Sequence, residues 1–217
     1  METHIVNNQR EGPQKIYYSD GKLKWSLNFK NNKLSGLLKY YRQDGSLRSE
    51  MNYRVGKRDG ITKTYYWNGS IKRVITFVDG KKEGVAKEYF KNGTLRSESY
   101  SVNGEMDGSI KTYYSTGALE SEWSAKQGKA DGKFAAYYKN GNVAELVMFK
   151  NGRMNGPCKK FYNDGAIWIE SELVDGNGTG KEYSRDGQFL GIVNYREGRL
   201  LEKSATAETV SQSNAAN

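Results

Sequence analysis

Glycine recurs along this chain at a fixed spacing, and that spacing limits the available folds more than any other feature. One glycine of each repeat, usually preceded by Asn or Asp, returns every 24 residues six times and then after 22. Self-similarity at such a period is typical of repeat architectures. Glycines this frequent would each cost about 1 kcal/mol in a helix, whereas Asn-Gly and Asp-Gly favour hairpin turns. The series is Gly21, Gly45, Gly69, Gly93, Gly117, Gly141, Gly165 and Gly187.

The residues around these glycines predict one β-hairpin in each repeat. Four residues before the glycine there is always an aromatic side chain, as at Tyr65, and two residues after it a large apolar one, as at Ile71. A short strand, a glycine turn and a second strand form a hairpin. The sequence therefore predicts an all-β fold of eight tandem 24-residue hairpin repeats.

The length of the turn decides which side chains share a face of the sheet. A three-residue loop with left-handed glycine places Tyr65 beside Ile71, and alternation by twos then adds Ile75 and Phe77 to one apolar face. We favour this loop. A two-residue loop would exchange the faces of the two aromatic columns.

The opposite face is then predicted to carry aromatic and charged rows. A basic stripe on this face is formed by Lys24, Arg42, Arg48, Lys72 and Arg96. The aromatic row is Tyr18, Tyr66, Phe90, Tyr114, Tyr138 and Tyr162, and a carboxylate column follows at Glu50, Glu98, Glu122 and Glu170. Such rows stabilise a sheet through cross-strand pairs and cation–π contacts. They are equally compatible with a solvated face and with a binding surface.

Departures from the repeat point more directly to binding. In the later repeats the cation position becomes Glu120, Ala144, Trp168 and Leu190, and the carboxylate column becomes Leu146 and Ile192. Large apolar residues in a polar setting are typical of interface hot spots, so we predict that Trp168→Ala weakens a complex by at least about 2 kcal/mol. Trp67 in a hairpin loop fits either binding or packing on the neighbouring hairpin. The candidate partner-binding residues are Tyr66, Trp67, Phe90, Tyr114, Tyr138, Leu146, Tyr162 and Trp168.

The repeated phrase itself resembles a known family. The pattern "YY-x-N-G-x-L-x-S-E" followed by "NG-K-x-DG" is similar to the variant MORN repeat of YwqK-type proteins, which are described as antitoxins or immunity proteins. The resemblance spans residues 12–203 and implies an elongated, twisted antiparallel sheet of hairpins that binds another protein or, in other members, lipid. We expect an N-terminal arm at 1–11, one array at 12–203 and a disordered tail at 204–217.

The residue inventory argues against an enzyme. The chain has one histidine, His4, and one cysteine, Cys158, which occupies an ordinary repeat position. Metal sites and nucleophilic catalysis need clusters of such residues. We therefore expect no catalytic residues, no metal and no cofactor.

Charge narrows the class of partner. The formal net charge is +9, which favours anionic partners, and the expectation is a toxin domain with an acidic surface. Anionic membrane lipid is the alternative, while the Glu column disfavours nucleic acid. An open sheet also has edges through which a terminal hairpin could form a homodimer. The first residues lack the apolar segment of a signal peptide, so the expected location is cytoplasmic.

Overall fold

The computed structural model describes residues 5–201, and every regular element in that range is a β-strand. The chain divides into two compact units. The first contains residues up to Gly108 and Ser115–Gly117, and the second contains Ser109–Tyr114 and the residues from Ala118 onward. Among residues 5–201 there is no apolar helix of membrane-spanning length.

Each hairpin contributes two main strands, and short strands mark some of the links between hairpins. In the first unit the strands are β1 (Ile5–Val6), β2 (Gln9–Arg10), β3 (Gly12–Tyr17), β4 (Leu23–Lys30), β5 (Lys33–Leu34), β6 (Gly36–Tyr41), β7 (Leu47–Arg54), β8 (Lys57–Tyr65), β9 (Ile71–Val78), β10 (Lys81–Lys82), β11 (Gly84–Tyr89) and β12 (Leu95–Val102). Strand β13 (Glu105–Tyr113) has residues in both units. The second unit continues with β14 (Leu119–Lys126), β15 (Lys129–Ala130), β16 (Gly132–Tyr137), β17 (Val143–Lys150), β18 (Arg153–Phe161), β19 (Ile167–Val174), β20 (Asn177–Tyr183), β21 (Phe189–Arg196) and β22 (Arg199–Leu200).

Consecutive strands pair antiparallel inside each unit. In the first unit β3 pairs with β4, β4 with β6, β6 with β7, and so on to β12. In the second unit the same order runs from β14 to β22. Strands β1 and β2 form a separate two-stranded hairpin, which lies in the segment expected to be an arm. The prediction of an all-β antiparallel sheet built from hairpin repeats is confirmed.

The glycine turns are three-residue loops, as predicted. In the third hairpin the Tyr66 amide donates to the Ser70 carbonyl at 2.9 Å, and the Gly69 amide donates to the Tyr66 carbonyl at 3.1 Å. Gly69 has a φ of 81°, a conformation that glycine adopts without the steric cost of a Cβ atom. The turn between hairpins is tighter, with two residues at positive φ, such as Asp79 at 50° followed by Gly80.

A β-bulge after each three-residue loop corrects the predicted faces. Tyr65 pairs with Ile71, but the next pair is Thr64 with Arg73, so one residue of the second strand has no partner in the ladder. An extra residue reverses the alternation that follows it. Ile75 therefore lies on the face of Thr64 and Arg73 rather than with Tyr65.

The prediction that Tyr65, Ile71, Ile75 and Phe77 form one apolar face is thus wrong. Tyr65 and Ile71 share the face that we call the outer face. Ile75 and Phe77 lie on the other, which we call the core face because most of the buried side chains in each unit lie on it.

The two units bury different sets of side chains. The cluster of the first unit is small and consists of Leu27, Phe29 and Leu38, each still 6–9 % exposed. The cluster of the second unit is larger and more deeply buried. Its members are Val147, Cys158, Ile169, Leu173, Val193 and Tyr195, with Ile169 and Leu173 at 0 % exposure.

Candidate functional site

In five of the repeats a tyrosine at the second aromatic position connects one hairpin to the next. The Tyr66 hydroxyl donates a hydrogen bond to the Tyr89 carbonyl at 2.7 Å, 23 residues further along the chain. A buried carbonyl that lost such a donor would cost about 1–3 kcal/mol. The row that we predicted as a binding surface therefore also holds the repeats together. The same bond is made by Tyr18 to Tyr41, Tyr114 to Tyr137, Tyr138 to Phe161 and Tyr162 to Tyr183.

Arg42 replaces the tyrosine of this row in the second hairpin and keeps its structural role. The guanidinium donates to the Tyr65 carbonyl at 2.5 Å and to the Leu47 carbonyl at 3.0 Å. The side chain is buried, yet its charged group stacks over the Trp67 ring at 4.5 Å from the ring centre. Trp67 is 69 % exposed. Arg42 thereby holds in place an indole that is largely open to solvent.

The bulge position of each early hairpin carries a cation above an aromatic ring. Lys24 lies 5.2 Å from the Tyr18 ring centre and Lys72 lies 5.6 Å from that of Tyr66. Such contacts hold a cation in place while leaving its outer side open to a ligand. Because Arg42 occupies the aromatic position of the second hairpin, Arg48 stacks instead on Tyr40, at 5.2 Å.

We call Lys24, Arg48 and Lys72 the cation row. Within residues 5–201 none of the three forms an ion pair with a carboxylate. Arg96, the fourth predicted member of the stripe, stacks over Phe90 at 5.7 Å but also lies 3.7 Å from Glu88. Its charge is therefore partly compensated.

Two members of the cation row, Arg48 and Lys72, line a depression of about 650 Å³ on the core face of the first unit. Its cations are Arg42, Arg48, Lys72 and Arg73, and of the described residues no Asp or Glu lines it. The aromatic side chains of the core face and its loops that line it are Tyr18, Tyr40, Tyr66 and Trp67. The arrangement suits an anion with flat or apolar parts, because the charges and the rings alternate within one open surface.

Tyr40 and Arg73 also belong to this site, although the sequence pattern did not predict them there. A signal for Tyr40 is present, since the doubled aromatic of the second hairpin is shifted by one residue, to Tyr40 and Tyr41. Arg73 carries no such signal. It lies on the core face only because the bulge inverts the alternation after Lys72.

The carboxylate column lies on the outer face, away from the cation row. Glu50 pairs in the ladder with Lys39 and Lys63, accepts the Tyr65 hydroxyl at 2.7 Å and lies 3.4 Å from the Lys39 ammonium. Burial, together with the Glu50 carboxylate, raises the pKa of Tyr65 to about 12. The hydrogen bond from Tyr65 lowers the pKa of Glu50. The predicted neighbourhood of cation and carboxylate columns is wrong, because the bulge separates them.

The predicted apolar patch around Trp168 is also divided between the two faces. The Trp168 ring packs against the core cluster of the second unit and against Tyr162, at 5.9 Å between ring centres. Its Nε1 donates to the Glu182 carboxylate at 3.1 Å. Leu146 precedes the core residue Val147 in the strand and pairs with Ala135 and Lys159 on the outer face. Ile192 lies there too, paired with Lys181.

The described residues that could act in catalysis or in metal binding are not grouped. Residues 5–201 contain no set of three His, Cys, Asp or Glu side chains able to hold a metal ion. Burial raises the pKa of the Cys158 thiol, which lies inside the core cluster of the second unit. His4 lies outside the described residues.

Comparison with known proteins identifies the repeat. The MORN repeat variant matches residues 10–31, 34–54, 58–79, 82–103 and 130–151, which together make up about half of the chain. No match was found among curated proteins. A crystal structure of TcdB2-TccC3-Cdc42 aligns at 8 % identity and a TM-score of 0.20, over 88 % of this chain and 13 % of that one. A TM-score this low does not establish a shared fold, and the chain spans only a small part of the length of that structure.

Proposed function

Since this chain belongs to the MORN repeat variant family, whose hairpin repeats form binding scaffolds, we propose that it is an antitoxin or immunity protein without catalytic activity. Its partner is a toxin domain with an acidic surface, which it neutralises by occupying that surface. The resemblance of the repeats to those of YwqK-type proteins supports the functional class. The charge and exposure of the first unit support the choice of partner surface.

The observation that carries the proposal is a row of cations without acidic partners. Lys24, Arg48 and Lys72 each lie over an aromatic ring, and within residues 5–201 none of them pairs with a carboxylate. Neighbouring cations on a surface repel one another. A row of this kind lowers its free energy by meeting a complementary negative surface.

The protein neutralises the toxin domain by covering its acidic surface, and the attraction between opposite charges brings the two proteins together. A stable protein complex buries about 1,200–2,000 Å² in total, and the aromatic residues around the depression provide its apolar contacts. Trp67 is an exposed tryptophan, and tryptophan is one of the residue types most enriched among interface hot spots. Association should be fastest at low ionic strength and should slow as salt screens the cations.

The test uses two charge-matched variants of the full chain. One is Lys24→Gln, Arg48→Gln and Lys72→Gln, which neutralises the cation row. The control is Lys39→Gln, Lys63→Gln and Lys87→Gln, which removes the same charge at the same 24-residue spacing from the ladder of the outer face. Each protein is used as bait at moderate salt in lysate from the organism that encodes it, and bound proteins are identified by mass spectrometry.

We expect one stoichiometric protein with the wild type and the control variant, and its loss with the cation-row variant. The purified partner should then lose its toxic activity when wild-type protein is added. Equal recovery by both variants would contradict the proposed surface. A partner with no activity that the protein inhibits would contradict the antitoxin assignment.

Attachment to anionic lipid is a second candidate function. The observation that favours it is that the cation row and the carboxylate column lie on different faces of the sheet. Each Lys or Arg near an anionic bilayer contributes about 1 kcal/mol. Flotation with vesicles of phosphatidylcholine, with and without 30 % phosphatidylserine, distinguishes lipid binding from binding to a toxin domain. Flotation of the wild type only with anionic vesicles, abolished in the cation-row variant, would support lipid binding; no flotation at moderate salt would remove it.

A further inference from the structure

The cation row has a regular spacing that a ligand has to match. Its three members occupy the same bulge position in successive hairpins, each 24 residues after the last. Each hairpin contributes two main strands, and neighbouring strands lie about 4.7–4.9 Å apart. The step from one hairpin to the next is therefore about 9.5 Å. The row presents one positive charge per step, along a line that crosses the strands.

The row also has an end. In the fourth hairpin Arg96 lies 3.7 Å from the Glu88 carboxylate, and Arg73 lies 3.2 Å from the other oxygen of the same carboxylate. The uncompensated part of the row is thus three charges long. This length corresponds to about two steps, or roughly 19 Å between the first and last cation.

Few polypeptide conformations place acidic side chains on one side at this spacing. In a β-strand the residue three positions on lies about 10 Å away but points to the opposite side. In a polyproline II helix there are three residues per turn and about 3.1 Å of rise per residue. Every third side chain then points the same way, at a spacing of about 9.3 Å. This spacing matches the step of the hairpins.

The rings of the depression favour the same conformation. Polyproline II segments are commonly recognised by aromatic-lined grooves, because the helix is preformed and loses little entropy on binding. Tyr18, Tyr40, Tyr66 and Trp67 line the depression. Cations stand over the Tyr40 and Tyr66 rings, and Trp67 is the most exposed of the four.

We propose that the first unit binds a polyproline II segment of its protein partner with an acidic residue at every third position, each carboxylate meeting one member of the cation row. This inference rests on the proposed function, because it specifies which part of the protein partner is recognised. The residues between the acidic positions pack on Trp67, whose ring is 69 % exposed. The register of the hairpins therefore selects the spacing of charge as well as its sign.

The experiment compares two peptides of identical composition. One is fluorescein-labelled (Glu-Pro-Pro)₅, and the other has the same five Glu residues together at one end, followed by the ten Pro residues. Binding to the full chain is measured by fluorescence anisotropy at moderate salt. We expect the periodic peptide to bind at least tenfold more tightly than the clustered one.

The variants then assign the effect to the cation row. Lys24→Gln, Arg48→Gln and Lys72→Gln together should weaken the periodic peptide at least tenfold, whereas Lys39→Gln, Lys63→Gln and Lys87→Gln should change its affinity less than twofold. Equal affinity for the two peptides would overturn the inference. So would binding to single-stranded oligonucleotide or to phosphatidylserine vesicles that exceeds binding to the periodic peptide.

Different results would contradict the proposed function and the inferred spacing of charge. If the cation-row variant loses the partner from lysate but the two peptides bind equally, the spacing inference is wrong and the proposed function stands. If the partner binds the cation-row and outer-face variants equally well, the proposed binding surface is wrong, whatever the peptides do. Far-ultraviolet circular dichroism of each variant establishes that lost binding is not lost folding.

Discussion

The bulge position after each hairpin turn serves different purposes in the two units. In the first unit it carries cations that stack on rings, and one of them, Arg48 on Tyr40, is exposed to solvent. In the second unit Trp168 occupies the same position, packs against the core cluster and donates to Glu182. A bulge residue has no partner in the ladder, so the sheet places little constraint on its identity. One backbone feature thus allows a binding surface in one unit and added packing in the other.

The cores of the two units also differ, and the core of the second unit is the more deeply buried. The second unit encloses Ile169 and Leu173 completely, while the first leaves every member of its smaller cluster slightly exposed. Burial of apolar area stabilises a fold by about 25 cal/mol per Å². We infer that the second unit is the more stable and that the first combines a thinner core with an open polar surface.

The largest effect should come from the core of the second unit. Leu173→Ala removes a side chain that is 0 % exposed and should lower the free energy of unfolding by about 3–4 kcal/mol. Leu38→Ala in the first unit should cost about 2 kcal/mol, because its surroundings are partly open to water. Urea unfolding followed by circular dichroism measures both changes. Equal losses would remove the distinction between the two cores.

Substitutions of Trp67 and Trp168 test the same comparison between the two units. Trp168→Ala should destabilise the chain by about 2 kcal/mol through lost packing and a lost hydrogen bond. Trp67→Ala should change stability by less than about 0.5 kcal/mol, since its ring is mostly in solvent.

Partner binding should respond to the same two substitutions differently. We expect Trp67→Ala to weaken it, and the hot-spot prediction for Trp168 is tested by comparing Trp168→Ala with Trp168→Phe, which keeps much of the packing. A Trp67 variant that unfolds more readily than the Trp168 variant would reverse the assignment of roles.

The sequence predicted the repeat, the turns and the hairpins because each depends on local chemistry. Glycine at a left-handed position and the alternation of aromatic and aliphatic residues are visible in the letters, and Gly69 adopts the predicted conformation. The faces were beyond such reasoning. A bulge at Lys72 changes which residues follow it on each side, and the bulge depends on pairing between strands. The roles of Arg42 and Trp168 likewise arise from contacts with residues more than ten positions away.

A strained turn in the first unit offers a stabilising substitution. Val55 has a φ of 50°, a left-handed conformation that costs a residue with a Cβ atom about 1–2 kcal/mol, whereas Asn tolerates it. Asn occupies the equivalent turn position at Asn151 in the second unit. Val55→Asn should raise the free energy of unfolding by about 1 kcal/mol, and Asn151→Val should lower it by a similar amount. If Val55→Asn destabilises the chain, a contact of the valine outweighs its strain.

One small effect should not differ between the units. Tyr66→Phe and Tyr162→Phe each remove a hydroxyl that donates to a carbonyl of the next hairpin, at 2.7 and 3.0 Å. Each should lower the free energy of unfolding by about 1 kcal/mol. Equal losses would establish that the tyrosine row has the same structural role throughout, so that the specialisation of the first unit resides in its cations and Trp67. A loss of stability confined to Tyr162→Phe would instead show that this hydrogen bond does not stabilise the first unit and that the tyrosine there serves binding.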